Sequence, residues 1–150
     1  MGEQEIVKVK PRYKRVMYIE DNGTDRWLFE KVAEQNNLAE ETIIFSTLGE
    51  AKEYITTALQ QPESFPDLIF CDLMLGNDET ALDFAKYYYT AVPEEVKKRT
   101  TLVVISAHTT YSKELSVLEH MMTAGLINHF FEKPVNKTPE YFQKQMNVLQ

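Results

Sequence analysis

At 150 residues, 43% hydrophobic and 26% charged, the chain has the size and composition of one globular domain rather than a disordered segment. Its 16 basic and 23 acidic side chains give a formal charge of −7, which argues against nucleic acid or an anionic membrane as the main partner. One cysteine rules out an internal disulfide, the first residues lack the regions of a signal peptide, and no apolar run nears the ~20 residues of a membrane span, so a cytoplasmic protein is expected.

Residues 1–13 mix charges with Pro11 and show no helical period, which predicts a flexible tail before a folded domain over 14–150. Arg15 to Ile19 reads as a short strand closed by Glu20-Asp21-Asn22-Gly23. Thr24 or Asp25 can cap a helix to about Asn37, with Leu28 and Val32 one turn apart. Thr42 to Ser46 is a second, β-branched strand, and Leu48 opens a helix to about Gln60. Pro62 and Pro66 then punctuate a loop.

Leu68 to Cys71 is a short, continuous apolar run of the kind found in strands covered on both faces. It ends at Asp72, and a carboxylate there must be solvated, paired or bound to a metal. A helix follows from Thr80 to about Ala91, stopped by Pro93, and Glu94 to Arg99 reads as a charged connection. Thr101 to Ile105 is a fourth strand, ending in Ser106-Ala107-His108. Ser112 to about Thr123 is helical and Gly125 ends it. Ile127 to Phe131 is a fifth strand, ended by Glu132-Lys133-Pro134. Thr138-Pro139-Glu140 opens a last helix carrying Tyr141, Phe142 and Met146. Five strands alternating with five helices predict an α/β domain, a parallel sheet with helices on both faces.

Ligand sites of open α/β sheets lie at the carboxyl ends of the strands. Here those ends carry Glu20 and Asp21, Asp72, Ser106 and Lys133. Carboxylates brought that close resist ionisation unless a cation joins them, and a hard divalent ion such as Mg²⁺ meets that need. A metal beside a lysine and a hydroxyl suits a phosphoryl group, which a carboxylate can accept as an aspartyl phosphate.

On these residues the chain resembles the receiver domains of two-component response regulators, over about residues 14 to 148. Glu20-Asp21 matches the family's acidic pair, Asp72 its phosphorylated aspartate, Ser106-Ala107 its hydroxyl-Ala step, Lys133-Pro134 its Lys-Pro, and Phe130 its aromatic switch. The resemblance implies a flavodoxin-like doubly wound five-stranded sheet of order 2-1-3-4-5. It implies that Asp72 takes a phosphoryl group from a sensor histidine kinase or a histidine phosphotransfer protein. Mg²⁺ would be held by Asp21, by Glu20 through water, by Asp72 and by the Met74 backbone carbonyl. Lys133 would pair with Asp72 and then with the phosphoryl oxygens, while Ser106 and Phe130 switch. The readout surface, for a separate effector or a homodimer, would be the fourth helix, fifth strand and fifth helix of this reading, about Tyr111 to Met146.

Such a module is not an enzyme beyond promoting its own phosphorylation and dephosphorylation, and no output domain is expected in this chain. Gly76 stands where many members have proline, Ser106 replaces the commoner threonine, and Phe130 lacks a tyrosine's hydroxyl. Met74 and His108, each two residues beyond a strand-end group, are expected to tune the lifetime of the phosphoryl group. The three histidines lack the spacing of a zinc site. Three alternatives stay open. One is a pseudo-receiver that binds partners without phosphorylation. The others are a flavodoxin-like flavin module, which two acids after the first strand disfavour, and an aspartyl phosphatase or mutase, which Met74 in place of a second acid disfavours.

Overall fold

The computed structural model describes residues 10–106, 113–133 and 139–149, without the side chains of Glu114, Pro139 and Phe142. Ala107, His108, Tyr111, Ser112, Pro134 and Thr138, to which the sequence reading gave roles, lie outside the described residues. The elements run β1 (Tyr13–Ile19), α1 (Gly23–Gln35), β2 (Ala39–Phe45), α2 (Leu48–Ala58), β3 (Leu68–Asp72), α3 (Ala81–Ala91), α4 (Glu94–Lys97), β4 (Thr101–Ser106), α5 (Lys113–Thr123), β5 (His129–Glu132) and α6 (Pro139–Asn147). A single 3₁₀ turn, Pro62–Ser64, follows α2. The strands form one sheet of order β2-β1-β3-β4-β5 with every neighbouring pair parallel, as expected. No helix of the described residues is long and apolar enough to cross a membrane.

Because strand side chains alternate faces, each central strand feeds two cores. Val16, Tyr18, Leu68, Phe70, Val103, Ile105 and Phe131 pack with Phe29 of α1 and Met146 of α6. Met17, Ile19, Ile69, Cys71, Leu102 and Val104 pack with Leu48 and Ile55 of α2, Phe84 of α3 and Leu118 of α5. Leu68, Ile69, Phe70 and Cys71 are fully buried, so the continuous apolar run does mark a strand covered on both faces.

Several boundaries differ from the sequence reading, each for a local reason. The connection Glu94 to Arg99 contains a short helix, α4, making six helices among the described residues where five are expected. Pro93 precedes it, Glu94 and Glu95 sit in its first turn and Lys97 in its last, which is the charge order a helix dipole favours, and Val96 anchors it in the core. Asn22, not Thr24 or Asp25, caps α1: its side chain accepts from Asp25 N at 2.9 Å. Tyr13 belongs to β1, because it pairs with Ala39 and so also brings β2 forward to Ala39. β5 starts at His129 rather than Ile127, since Asn128 first closes a reciprocal pair with Leu102, donating to its carbonyl at 2.9 Å and accepting from its amide at 2.7 Å.

Candidate functional site

The alternation that builds the α1/α6 core also builds the site. Two residues beyond Tyr18, Phe70 and Phe131 on the same parity come Glu20, Asp72 and Lys133. Those three aromatics and Phe29 form a continuous floor, with ring centroids 4.2 Å apart for Tyr18–Phe29, 5.2 Å for Phe29–Phe70 and 6.4 Å for Phe70–Phe131. Each charged group therefore stands at the edge of an apolar layer that withholds water from one side. Glu20 is fully buried and Asp72 is 5% exposed.

Lys133 lies at the centre of the cluster. Its Nζ is 2.7 Å from Glu20 Oε1, 2.7 Å from Asp25 Oδ2 and 3.0 Å from Asp72 Oδ2. The backbone amide of Lys133 donates to the Ser106 carbonyl at 2.8 Å, which ties the end of β5 to the end of β4. Burial pushes the ammonium's pKa down, but the carboxylates of Asp25, Glu20 and Asp72 outweigh it and raise it above the ordinary lysine range.

Positive charge is still short. Glu20 accepts from the Tyr18 hydroxyl at 3.2 Å. Its Oε2 is buried and has no hydrogen-bond partner among the described residues. Burial pushes Glu20 up to about 9, and the neighbouring Asp72 adds to this against the pull of Lys133. Burial and the same carboxylates push Tyr18 well above the usual phenol range. Glu20, Asp21 and Asp72 can each present an oxygen within 4.8 Å of the other two. An orphaned buried carboxylate oxygen, next to an exposed Asp21 and a set of hard oxygen donors, fits a divalent cation of the Mg²⁺ kind.

The loop after β3 is closed by its own hydrogen bonds. Leu75 N donates to the Glu79 carbonyl at 2.9 Å, and Met74 bridges Thr80. Asn77 and Asp78 both have φ of 60°, a left-handed conformation that short polar side chains tolerate. Gly76 matters for a different reason: a Cβ there would stand 3.2 Å from Asp21 Oδ2. Its lack of a side chain leaves room for the acid.

No protein-family model matches the sequence, and no curated protein matches it. Solved structures do. A two-component response regulator from Cytophaga hutchinsonii is 14% identical, with TM-score 0.69 over 91% of this chain and 96% of that one. A CheY-like response regulator receiver domain from Methylobacillus flagellatus is 18% identical, with TM-score 0.64 over 91% and 98%. The receiver domain of the Arabidopsis thaliana histidine kinase CKI1, complexed with Mg²⁺, is 20% identical, with TM-score 0.65 over 91% and 92%. This chain has the receiver fold.

Within that fold, the structure brings together Glu20, Asp21, Asp72 and Lys133. Ser106 is buried at the end of β4, one residue beyond Ile105, which pairs with Asp72. Phe130 is outside the charged cluster: it pairs with Val104 and packs, half-buried, against the core on the α2/α3/α5 face. The Met74 side chain is 57% exposed, so only its backbone is a candidate ligand. Asp25 is the site residue missing from the sequence reading, which treated it as a helix cap. It lies one helical turn before Phe29, on the face of α1 that meets the aromatic floor. That spacing, an acid four residues before a core aromatic on the helix after the acidic pair, is the signal that finds it.

Proposed function

We propose that the protein is a phosphoryl-accepting signalling module. The supporting observation is Asp72, a nearly buried carboxylate at a central strand end, 3.0 Å from a lysine and grouped with Glu20 and Asp21 in a receiver fold. One carboxylate oxygen of Asp72 attacks the phosphorus of a phosphohistidine on a partner protein. The bond from phosphorus to imidazole nitrogen breaks, the imidazole leaves, and an acyl phosphate remains on Asp72. Lys133 follows the charge, passing from the carboxylate to the phosphoryl oxygens. Ser106 donates its hydroxyl to a phosphoryl oxygen, and Phe130 moves inward behind it.

Asp21, Asp72, the Met74 carbonyl and, through water, Glu20 would hold Mg²⁺. That ion would supply positive charge against the phosphoryl oxygens in a site that, among the described residues, carries four carboxylates (Glu20, Asp21, Asp25, Asp72) and one ammonium (Lys133). The donor is a sensor histidine kinase or a histidine phosphotransfer protein. The readout runs through α5, β5 and α6 to a separate effector, or to a second copy of the chain. This is a local change of charge biasing a two-state surface. Glu20 and Asp21 at the end of β1 weigh against a flavin phosphate at the same place, since both would repel it.

The test is incubation with acetyl phosphate and Mg²⁺ followed by intact mass. A phosphate adduct on the parent chain that is lost in Asp72→Ala is the expected result. No adduct from acetyl phosphate or from phosphohistidine donors overturns the reading in favour of a receiver fold that binds partners unphosphorylated.

A further inference from the structure

One ammonium, that of Lys133, holds three carboxylates that are not alike. Glu20 Oε1, Asp25 Oδ2 and Asp72 Oδ2 lie 2.7, 2.7 and 3.0 Å from its Nζ, which has three protons to give. Two of the three, Glu20 and Asp72, also belong to the group that can close round a divalent ion, with Asp21 as its other member. Asp25 lies outside that group. An ion entering the group therefore competes with Lys133 for two of its partners and leaves it the third.

The backbone, rather than the lysine, places Asp25 for that role. It stands in the first turn of α1, where the Asn22 side chain accepts from its amide at 2.9 Å. The same turn is tied to the end of β1, because Arg26 Nη1 donates to the Glu20 carbonyl at 2.8 Å. A carboxylate in the first turn is also favoured by the helix dipole. The Asp25 side chain is 14% exposed and that of Lys133 11%, so water and salt screen the pair poorly. Asp25 thus keeps its place and its charge when the other partners of Lys133 are engaged elsewhere.

Repulsion makes such a partner necessary. A divalent cation held by Glu20 and Asp72 stands beside an ammonium that touches the same two side chains, and like charges that close repel strongly among groups buried from water. The backbone of Lys133 is fixed by the hydrogen bond from its amide to the Ser106 carbonyl at 2.8 Å. Only the side chain can yield, and Asp25 is the carboxylate left for it to turn to.

We propose that Asp25 is a positioning residue: it holds the Lys133 ammonium aside while a divalent ion occupies Glu20, Asp21 and Asp72, and keeps it within reach of the phosphoryl oxygens. The proposal rests on the phosphoryl-accepting reading above and names the group that lets one small site carry both cations.

The test is calorimetric titration of Mg²⁺ into the full chain, with no phosphodonor present. The parent binds, and Asp25→Asn, which removes the charge and keeps the shape, weakens binding roughly tenfold. Asp25→Glu keeps the charge and recovers most of that loss. Lys133→Gln has no ammonium to hold off, and adding Asp25→Asn to it changes the affinity less than about threefold. The side-chain ammonium resonance of Lys133 in nitrogen-15 NMR tests the same point without removing the lysine. At saturating Mg²⁺ it persists in the parent and is lost to exchange with water in Asp25→Asn. Equal Mg²⁺ affinity of the parent and Asp25→Asn, or an ammonium resonance that Asp25→Asn leaves unchanged, overturns the proposal and leaves the metal reading standing. So does an equal loss on adding Asp25→Asn to Lys133→Gln, which means that Asp25 attracts the ion without the lysine. No binding of Mg²⁺ by the parent overturns both.

Discussion

The two ends of the sheet handle buried polar groups in opposite ways. At the carboxyl ends of the strands, three carboxylates of the described residues share the Lys133 ammonium with Asp21 beside them, and Glu20 is left with an unpartnered oxygen and a pKa pushed up to about 9. At the other end the buried groups are neutral hydroxyls: that of Thr100 donates to the Pro66 carbonyl, and that of Tyr88 lies beside Thr100. The difference follows from desolvation. A buried charge costs far more than a buried hydroxyl, so the first end needs a cation while the second needs none. The charged end is accordingly predicted to be sensitive to ions and pH, and the neutral end to neither.

The largest break in this contrast comes from removing the shared cation. Lys133→Met should destabilise the ion-free protein by about 3–5 kcal/mol at neutral pH, because it leaves buried carboxylates unpaired. Chemical denaturation measures this. Glu20 is raised from 4.5 to about 9, so the native state holds its proton more tightly than the unfolded chain does. Its contribution to stability is full below 4.5 and is lost as pH rises towards 9, so the ion-free parent should lose stability across that window.

Next in size is the response to metal. Mg²⁺ at a hundredfold excess over its Kd should stabilise the parent by about 2.7 kcal/mol. Asp21→Asn, at an exposed position, should abolish that gain in a thermal melt while barely moving the ion-free Tm. At the neutral end, Thr100→Val leaves the buried Pro66 carbonyl without its donor and should cost about 1–3 kcal/mol, independent of Mg²⁺ and of pH between 5 and 8. The smallest effect is Tyr88→Phe, which should cost no more than about 1 kcal/mol, since it removes a neutral hydroxyl whose neighbour Thr100 keeps its own bond to the Pro66 carbonyl. A loss there as large as that of Lys133→Met would erase the contrast.

Most of the fold was legible along the chain, because strands and helices announce themselves through local period and punctuation. The continuous run Leu68 to Cys71, the β-branched run from Thr101, and the stops at Pro93 and Gly125 all mark real boundaries. The short helix α4 was hidden because four residues are too few for a period, and its charge order is the sole clue. Strand order came from resemblance to receiver domains, not from period, and the sheet has that order.

The sequence by itself determined which residues could do ionic chemistry: acids at the ends of β1 and β3, a hydroxyl after β4, a lysine after β5. It also placed Glu20, Asp72 and Lys133 on one side, since each follows an aromatic residue of the α1/α6 face by two positions, whereas Ser106 follows Val104 of the other face. Only the tertiary structure decided who shares the lysine. Asp25 joins through the angle at which α1 packs on the sheet, and 2.7 Å to Lys133 depends on that packing. Likewise, Tyr88 is an ordinary helical aromatic by spacing. That its hydroxyl lies buried beside Thr100 depends on where α3 packs against the start of β4, and no local pattern encodes the meeting of elements distant in the chain.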